Sequence, residues 1–549
     1  MTSHHADTVF LGGGVFTADA VRRFATALAV RDGRIVAVGH DDVRELAGPA
    51  TRVVDVGGGL VVPGFQDAHA HPAQGGMERR RCDLSEHTTR DDYLAAIRGY
   101  AEQHPDVEWI TGAGWMLDAF PGGSPRREDL DAIAPDRPVL LTNRDHHGAW
   151  ANSRALALAG LDDRTPDPGD GRIDRDPDGA PSGMLHEGAM ALVARLVPDP
   201  SHAEQVTALL EAQSYLYSLG ITGWQDAILG QYAGHPDASE VYLDAARSGQ
   251  LTARVVGALW WDRTRGADQI PELVARREHL NAGRFAATSV KIMQDGIVEN
   301  YTAGMLEPYL DAAGQATGNA GLSFVDPAVL RECVPALDDA GFQVHVHTIG
   351  DRAVREALDA IEAARAANGP NDLRHHLAHI QVVHPSDVPR FRQLGVVATM
   401  QPLWAANEPQ MVHLTLPFLG PERARWQYPF GDLQRSGATL AGGSDWPVTS
   451  PDPLEGIHVA VNRVLPESIG EAYDEPFLPE QSLDLASALT AYTAGSAYVN
   501  HCDAAGSMTV GHLADLAVLD RDVFEHPMEE IAAARVVATY VEGVEVFAG

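Results

Sequence analysis

His69 and His71 form a His-x-His pair in the segment GLVVPGFQDAHAH. A β-strand has a side-chain period of two, so both imidazoles project from one face at the strand's C-terminal end. Four more candidates stand in later segments of similar character: Lys291 in SVKIMQDG, His347 in QVHVHTIGD, His379 in HLAHIQ and Asp445 in GGSDWP. Neutral imidazoles with a carboxylate are the ligands that a divalent cation such as zinc takes. Taken singly, each has a plainer reading. His-x-His pairs are common on surfaces, His379 suits a satisfied core histidine, and Asp445 suits a helix cap. Together, at the ends of successive apolar runs, they are hard to attribute to chance. Lys291 adds a separate signal. Of the 41 basic residues it is the only lysine, and every other one is arginine. Such a chain has either drifted in composition or needs an amine at that one position.

Residues so far apart need a scaffold that gathers them. Eight apolar runs recur, most ending in polar residues and followed by a helix-like stretch: GLVVPGFQDAHAH, GITGWQDA, LTARVVGALWW, SVKIMQDG, FQVHVHTIG, HLAHIQVVH, VVATMQP and TLAGGSDWP. Continuous apolar strands alternating with helices predict a parallel sheet covered on both faces. Eight of them predict an α/β fold, the (β/α)8 TIM barrel, whose active site lies at the C-terminal ends of the strands. Residues from about 74 to 200 fit no single βα unit. The helical patches DDYLAAIRGYAEQ and AMALVARLV and a Pro/Gly/Asp-rich stretch from Asp162 to Gly183 predict an insertion after strand one, covering the barrel mouth. Val- and Ile-rich runs between residues 8 and 62 predict a small antiparallel sheet, and ADLAVLD, RVVATYVEG and VEVFAG repeat that style at the other end. The expected division is therefore 1–62 and 499–549 as one β domain around a barrel at 63–498.

The 549 residues carry a net charge of −35. That field repels phosphate backbones and anionic bilayers, which argues against nucleic-acid and membrane-surface partners. Cys82, Cys333 and Cys502 are widely spaced with no CxxC, so neither a disulfide framework nor a thiolate zinc knuckle is expected. The start MTSHHADTVF lacks a basic stretch followed by an apolar core, and no run approaches the ~18 apolar residues that cross a bilayer. A soluble, cytoplasmic protein is expected.

The motifs GGGLVVPGFQDAHAHP, SVKIMQDGIVENYTAGMLEPYL, VHVHTIGDRAV, LAHIQ, GGSDWPV and GSMTVGHLADLAVLD resemble the amidohydrolase superfamily, and within it the branch of N-substituted formamide deformylases. The resemblance covers nearly the whole chain, including DRPVLLTNRDHHGAWANSRAL and PSGMLHE of the insertion. It implies a (β/α)8 barrel with a divalent-metal site, zinc being the expected ion in one or two copies, and a β-sandwich built from both termini. It further implies that His69, His71 and Asp445 hold the more buried ion and that His347 and His379 hold the second. Lys291 would bridge them once carbon dioxide has turned its amine into a carbamate, an anionic oxygen ligand that permanently protonated arginine cannot form. A homodimer is also compatible with the resemblance.

Two such cations lower the pKa of a water and polarise a carbonyl. Asp445 would take that water's proton and deliver it to a departing nitrogen. The expected reaction is hydrolysis of a C–N bond in a small amide, an N-substituted formamide foremost. N-acyl amino acids, cyclic amides, carbamates and esters are alternatives on the same site, and a ligand-binding protein on a degenerate barrel is the non-enzymatic one. Asp145, His147 and Trp150 in the insertion, with Glu299 and Trp404, are the expected substrate contacts. Where the family pattern resembles Asp-Gly-His, this chain has Asp145-His146-His147; His146 either changes selectivity or is a solvated loop residue. Trp115, Trp224, Trp260, Trp261 and Trp446 are further candidates for an apolar wall, or for packing.

Overall fold

The computed structural model describes residues 5–232, 235–469, 473 and 475–549, so the first four residues of the N-terminal segment lie outside it. All eight predicted barrel strands are present: Phe65–Ala70, Ile221–Leu229, Arg254–Trp260, Phe285–Met293, Gln343–Thr348, His376–His379, Val397–Met400 and Thr439–Gly442. Each pairs in parallel with the next in chain order. Phe65–Ala70 and Gln343–Thr348 are buried along their whole length, as strands covered on both faces must be. The ladder is an open path from the last strand to the first, and the seam is closed just beyond their C-terminal ends. There the Asp445 amide donates to the His69 carbonyl and the His71 amide to the Trp446 carbonyl, both at 2.7 Å. Gly443 permits this approach, because a Cβ there would stand 2.9 Å from the His69 nitrogen.

The barrel interior is polar. His376 contacts Gln225 and Thr399, both at 2.9 Å, and Gln225 donates to Gln343 at 2.9 Å. Gln66 donates to Thr222 at 3.1 Å. Aliphatic layers usually fill this space. Here the layer beneath the strand ends is a hydrogen-bonded network of buried side chains, in which Gln66 Oε1 and His345 Nδ1 have no partner among the described residues.

Both chain ends build a β-sandwich. One sheet holds Thr8–Leu11, Ala27–Arg31, Arg34–Gly39 and Arg52–Asp55; the other holds Gly14–Phe16, Phe24–Ala25, Leu60–Pro63, Leu516–Leu519, Val536–Val541 and Val544–Ala548. Phe10, Leu28 and Ile35 of the first meet Val61, Leu516 and Tyr540 of the second in one core. The antiparallel expectation needs correction. Thr8–Leu11 pairs in parallel with Arg52–Asp55, and Gly14–Phe16 in parallel with Leu60–Pro63. In each case the chain returns to its own earlier strand after an intervening hairpin, and such a crossover restores the original direction. Leu516–Leu519 lies antiparallel to Leu60–Pro63, and one residue separates that strand from barrel strand one.

The insertion has a sheet of its own, which the sequence reading did not anticipate. Its order is Gly171–Arg175, Pro181–Glu187, Gly148–Ala151, Val139–Asn143, Ile110–Trp115, Cys82–Asp83. Two of these strands lie within or start in the stretch Asp162–Gly183, whose turn residues bracket a hairpin. The helix Arg90–Gln103 forms over the expected DDYLAAIRGYAEQ, with Thr89 accepting from the Asp92 amide as its N-cap. AMALVARLV yields only the short helix Ala191–Ala194.

Trp150 belongs to this module and not to a substrate pocket. Its ring is fully buried against Trp115 and Phe120, and its indole N–H donates to the Arg126 carbonyl at 2.9 Å. Strand alternation turns it into the core. Trp115, Trp224 and Trp261 are core residues as well. Trp150→Ala should cost about 3–5 kcal/mol by urea denaturation; a loss below about 1 kcal/mol would show that the insertion's core does not depend on this ring.

Candidate metal centre

The six candidate ligands, drawn from five separated segments, line a single cavity at the C-terminal end of the barrel. His69 is the penultimate residue of strand one and His71 follows it; Lys291 is on strand four, His347 on strand five, His379 ends strand six, and Asp445 follows strand eight. Asp445 Oδ1 stands 3.1 Å from His69 Nε2 and 3.0 Å from His71 Nε2, and its Oδ2 is 3.9 Å from His379 Nδ1. Lys291 Nζ is 3.5 Å from His69 Nε2. The rings of His347 and His379 are 4.5 Å apart, centre to centre. His69, Lys291, His347, His379 and Asp445 are each at most 5% exposed.

Burial dictates the charge states. It opposes the Asp445 charge, but His69 and His71 outweigh it and hold the carboxyl well below the usual range. Burial, reinforced by the Lys291 charge, presses His69 down to about 3. Burial pushes His347 and His379 well below the ordinary imidazole value. It also brings the Lys291 amine down to about 7, against the pull of Asp445. The pocket thus presents the neutral imidazoles of His69, His347 and His379, an ionised carboxylate and an amine that readily loses its proton. Neutral nitrogens and a carboxylate are the states that bind a metal.

Several positioning residues escaped the sequence reading. His345 lies one period before His347, and its Nε2 is 2.7 Å from His69 Nδ1. When His69 Nδ1 donates across that contact, the lone pair of its Nε2 faces Asp445. Asp67 accepts from the His69 amide at 2.9 Å and from the Ser444 hydroxyl at 2.6 Å, tying strand one to the segment after strand eight. Asp295, inside the quoted SVKIMQDG, lies 3.2 Å from His347 Nδ1 and accepts from the amides of Ile349, Gly350 and Gly304. The repeated His-x-His in QVHVHT was the available signal for His345; nothing local marked the two aspartates. His379 and Asp445 have left-handed backbones, φ +75° and +59°. For residues other than glycine such conformations cost of order 1–3 kcal/mol and gather at functional sites.

Four of the five expected substrate contacts lie around the cavity. Asp145 and His147 line it from the insertion, and His147 Nδ1 pairs with Glu187 at 3.0 Å. Trp404 stacks on His379 with ring centres 5.2 Å apart. Glu299 lines an adjoining recess with Met116, Leu403, Met411 and Tyr428, and accepts from the Thr415 hydroxyl. Trp150 is the exception described above.

The residues fit a divalent ion. His379 Nδ1 and His71 Nδ1 are buried with no hydrogen-bond partner among the described residues, a cost of about 1–3 kcal/mol each. The ligand atoms of His69, His379 and Asp445 all lie within 4.8 Å of one another, so cations bound in this cluster would take up the His379 nitrogen.

A parallel eight-stranded barrel with histidines, a lysine and an aspartate gathered at its strand ends defines a hydrolase of the metal-dependent kind. The chain belongs to the amidohydrolase family, whose model matches residues 52–547. Protein LONG AFTER FAR-RED 3 of Arabidopsis thaliana is 33% identical, over 99% of this chain and 92% of its own length. The N-substituted formamide deformylase of Arthrobacter pascens is 27% identical over 98% of both chains. The crystal structure of an uncharacterized metal-dependent hydrolase from Pyrococcus horikoshii OT3 superposes with a TM-score of 0.72 at 25% identity, over 95% of this chain and 99% of that one. Among the described residues no helix is long and apolar enough to cross a membrane.

His345→Ala should weaken divalent-metal binding about 10–100-fold in a competition titration against a chelator. Unchanged affinity would mean that the His345–His69 contact orients nothing.

Proposed function

We propose that this protein hydrolyses the C–N bond of a small amide, with N-substituted formamides the foremost class. The observation that carries the reading is the Asp445 carboxylate, set among three imidazoles and the Lys291 amine in one cavity at the strand ends. His69, His71 and Asp445 would hold one zinc-like cation, His347 and His379 a second, and a carbamate on Lys291 would join them. When bound, such cations lower the pKa of water and act as Lewis acids towards a carbonyl.

The chain's own residues supply the rest. A buried amine near neutrality, as burial makes Lys291, is in part unprotonated, and the free amine is the form that adds carbon dioxide. Asp445 accepts a proton as the water oxygen bonds to the carbonyl carbon. It then returns that proton to the nitrogen as the C–N bond breaks, releasing a carboxylic acid and an amine. Trp404, lying flat over His379, gives an aryl or alkyl substituent a wall, and the recess of Met116, Leu403, Met411 and Tyr428 gives it room. His147, paired with Glu187, is held well up at about 9 although burial opposes its charge, so it donates to a carbonyl or oxyanion.

A panel of formamides, acetamides, N-acyl amino acids, lactams and esters, assayed for amine or acid release, tests the substrate class. Turnover of esters alone would overturn the C–N reading. Lys291→Ala should lose at least ~100-fold in activity and regain part of it with small carboxylic acids. Full activity in Lys291→Arg would exclude the carbamate.

A further inference from the structure

A second cluster of ligand-type side chains lies outside the six-residue centre. Glu78, His146 and His235 each offer one ligand atom, and these atoms all lie within 4.8 Å of one another. His146 Nε2 is 3.6 Å from Glu78 Oε2. The edge of a tetrahedron with ~2.1 Å bonds is about 3.4 Å, so this pair already has the spacing of two ligands on one ion. The Gln74 amide nitrogen sits 2.9 Å from His146 Nδ1 and 2.8 Å from Glu78 Oε1, and so orients both. The amide nitrogen donates in this arrangement, so ligation through His146 Nε2 calls for the Gln74 amide to turn over and offer its carbonyl oxygen to an Nδ1–H.

We propose that Glu78, His146 and His235 bind a divalent transition-metal ion of their own, Zn²⁺-like, separate from the centre at Asp445. Two imidazoles and a carboxylate form a donor set that suits zinc and leaves a fourth position open. Their surroundings agree. Burial, helped by Arg81 and His71, presses His235 down to about 3, and burial pushes His146 well below the ordinary value, so both rings are neutral. Burial also lifts Glu78 to about 8, with Gln74 and Arg81 too weak to hold its charge. A cation would supply what that carboxylate lacks.

The three residues come from three different pieces of chain. Glu78 is on the helix Pro72–Arg79 after barrel strand one, His146 is in the turn between Val139–Asn143 and Gly148–Ala151, and His235 follows barrel strand two. An ion there would fasten the turn of the insertion to the rim of the barrel. Because His146 and His235 line the same cavity as His71, the fastening would also fix one wall of the substrate's space.

The test counts Zn²⁺ per chain by elemental mass spectrometry after loading and dialysis, with circular dichroism to confirm folding. Glu78→Gln and His146→Ala should each hold one ion fewer than the parent chain. In an Asp445→Asn background, where the main centre is weakened, Glu78→Gln should remove one further ion. Parent stoichiometry in both folded variants would overturn the proposal and leave the cluster as hydrogen-bonded polar packing. Loss of an ion in Glu78→Gln but not in Asp445→Asn would uphold this site while counting against the main one, so the two readings fail separately. If one of the two variants does not fold, the other decides the matter, and His235→Gln replaces the missing one.

Discussion

A carboxylate buried at the end of a barrel is the constraint around which this molecule is arranged. Taking an ion such as that of Asp445 out of water costs several kcal/mol unless partners surround it. Here the partners are imidazoles from strands one and six and from the turn after strand one. The same residue's backbone amide closes the barrel seam on the His69 carbonyl. Closure of the barrel seam and the placing of Asp445 beside His69 therefore rest on the same short segment. A chain that failed to bring its last strand beside its first would lose both together.

That arrangement reaches downward into the barrel. His345 stands between His69 and His376, its ring 3.9 Å from that of His376, and the glutamines of strands two and five complete the layer. An aliphatic filling would stabilise the barrel at least as well, but it has no groups with which to hold His69 in one tautomer. The polar layer trades ease of packing for orientation.

Much of this is legible in the sequence. All eight barrel strands were recoverable because they are largely buried and so read as mainly apolar runs, and the six ligand candidates could be named because they stand at the ends of those runs. The insertion was legible only as something that did not fit. Its strands, such as Ile110–Trp115 with two glycines and Gly148–Ala151 with four residues, are too short and too small in side chain to announce a period. Trp150 was misplaced because proximity to Asp145 and His147 in sequence says nothing about which face of a short strand a ring will take. Asp67 and Asp295 were invisible for another reason: they act through backbone amides supplied by distant segments, and no residue type marks an amide in advance. The parallel pairings in the terminal sheets depend likewise on where the chain returns after a hairpin, which local pattern does not encode.

The insertion meets the centre through the turn that carries Asp145, His146 and His147, and that turn hangs from a sheet with two hydrophobic clusters of its own. The barrel's cohesion does not pass through those clusters. Residues lining the cavity from the insertion can therefore be exchanged while the six clustered side chains stay fixed on the barrel. In evolutionary terms, the insertion can vary as a unit of its own without disturbing the strand ends it overhangs.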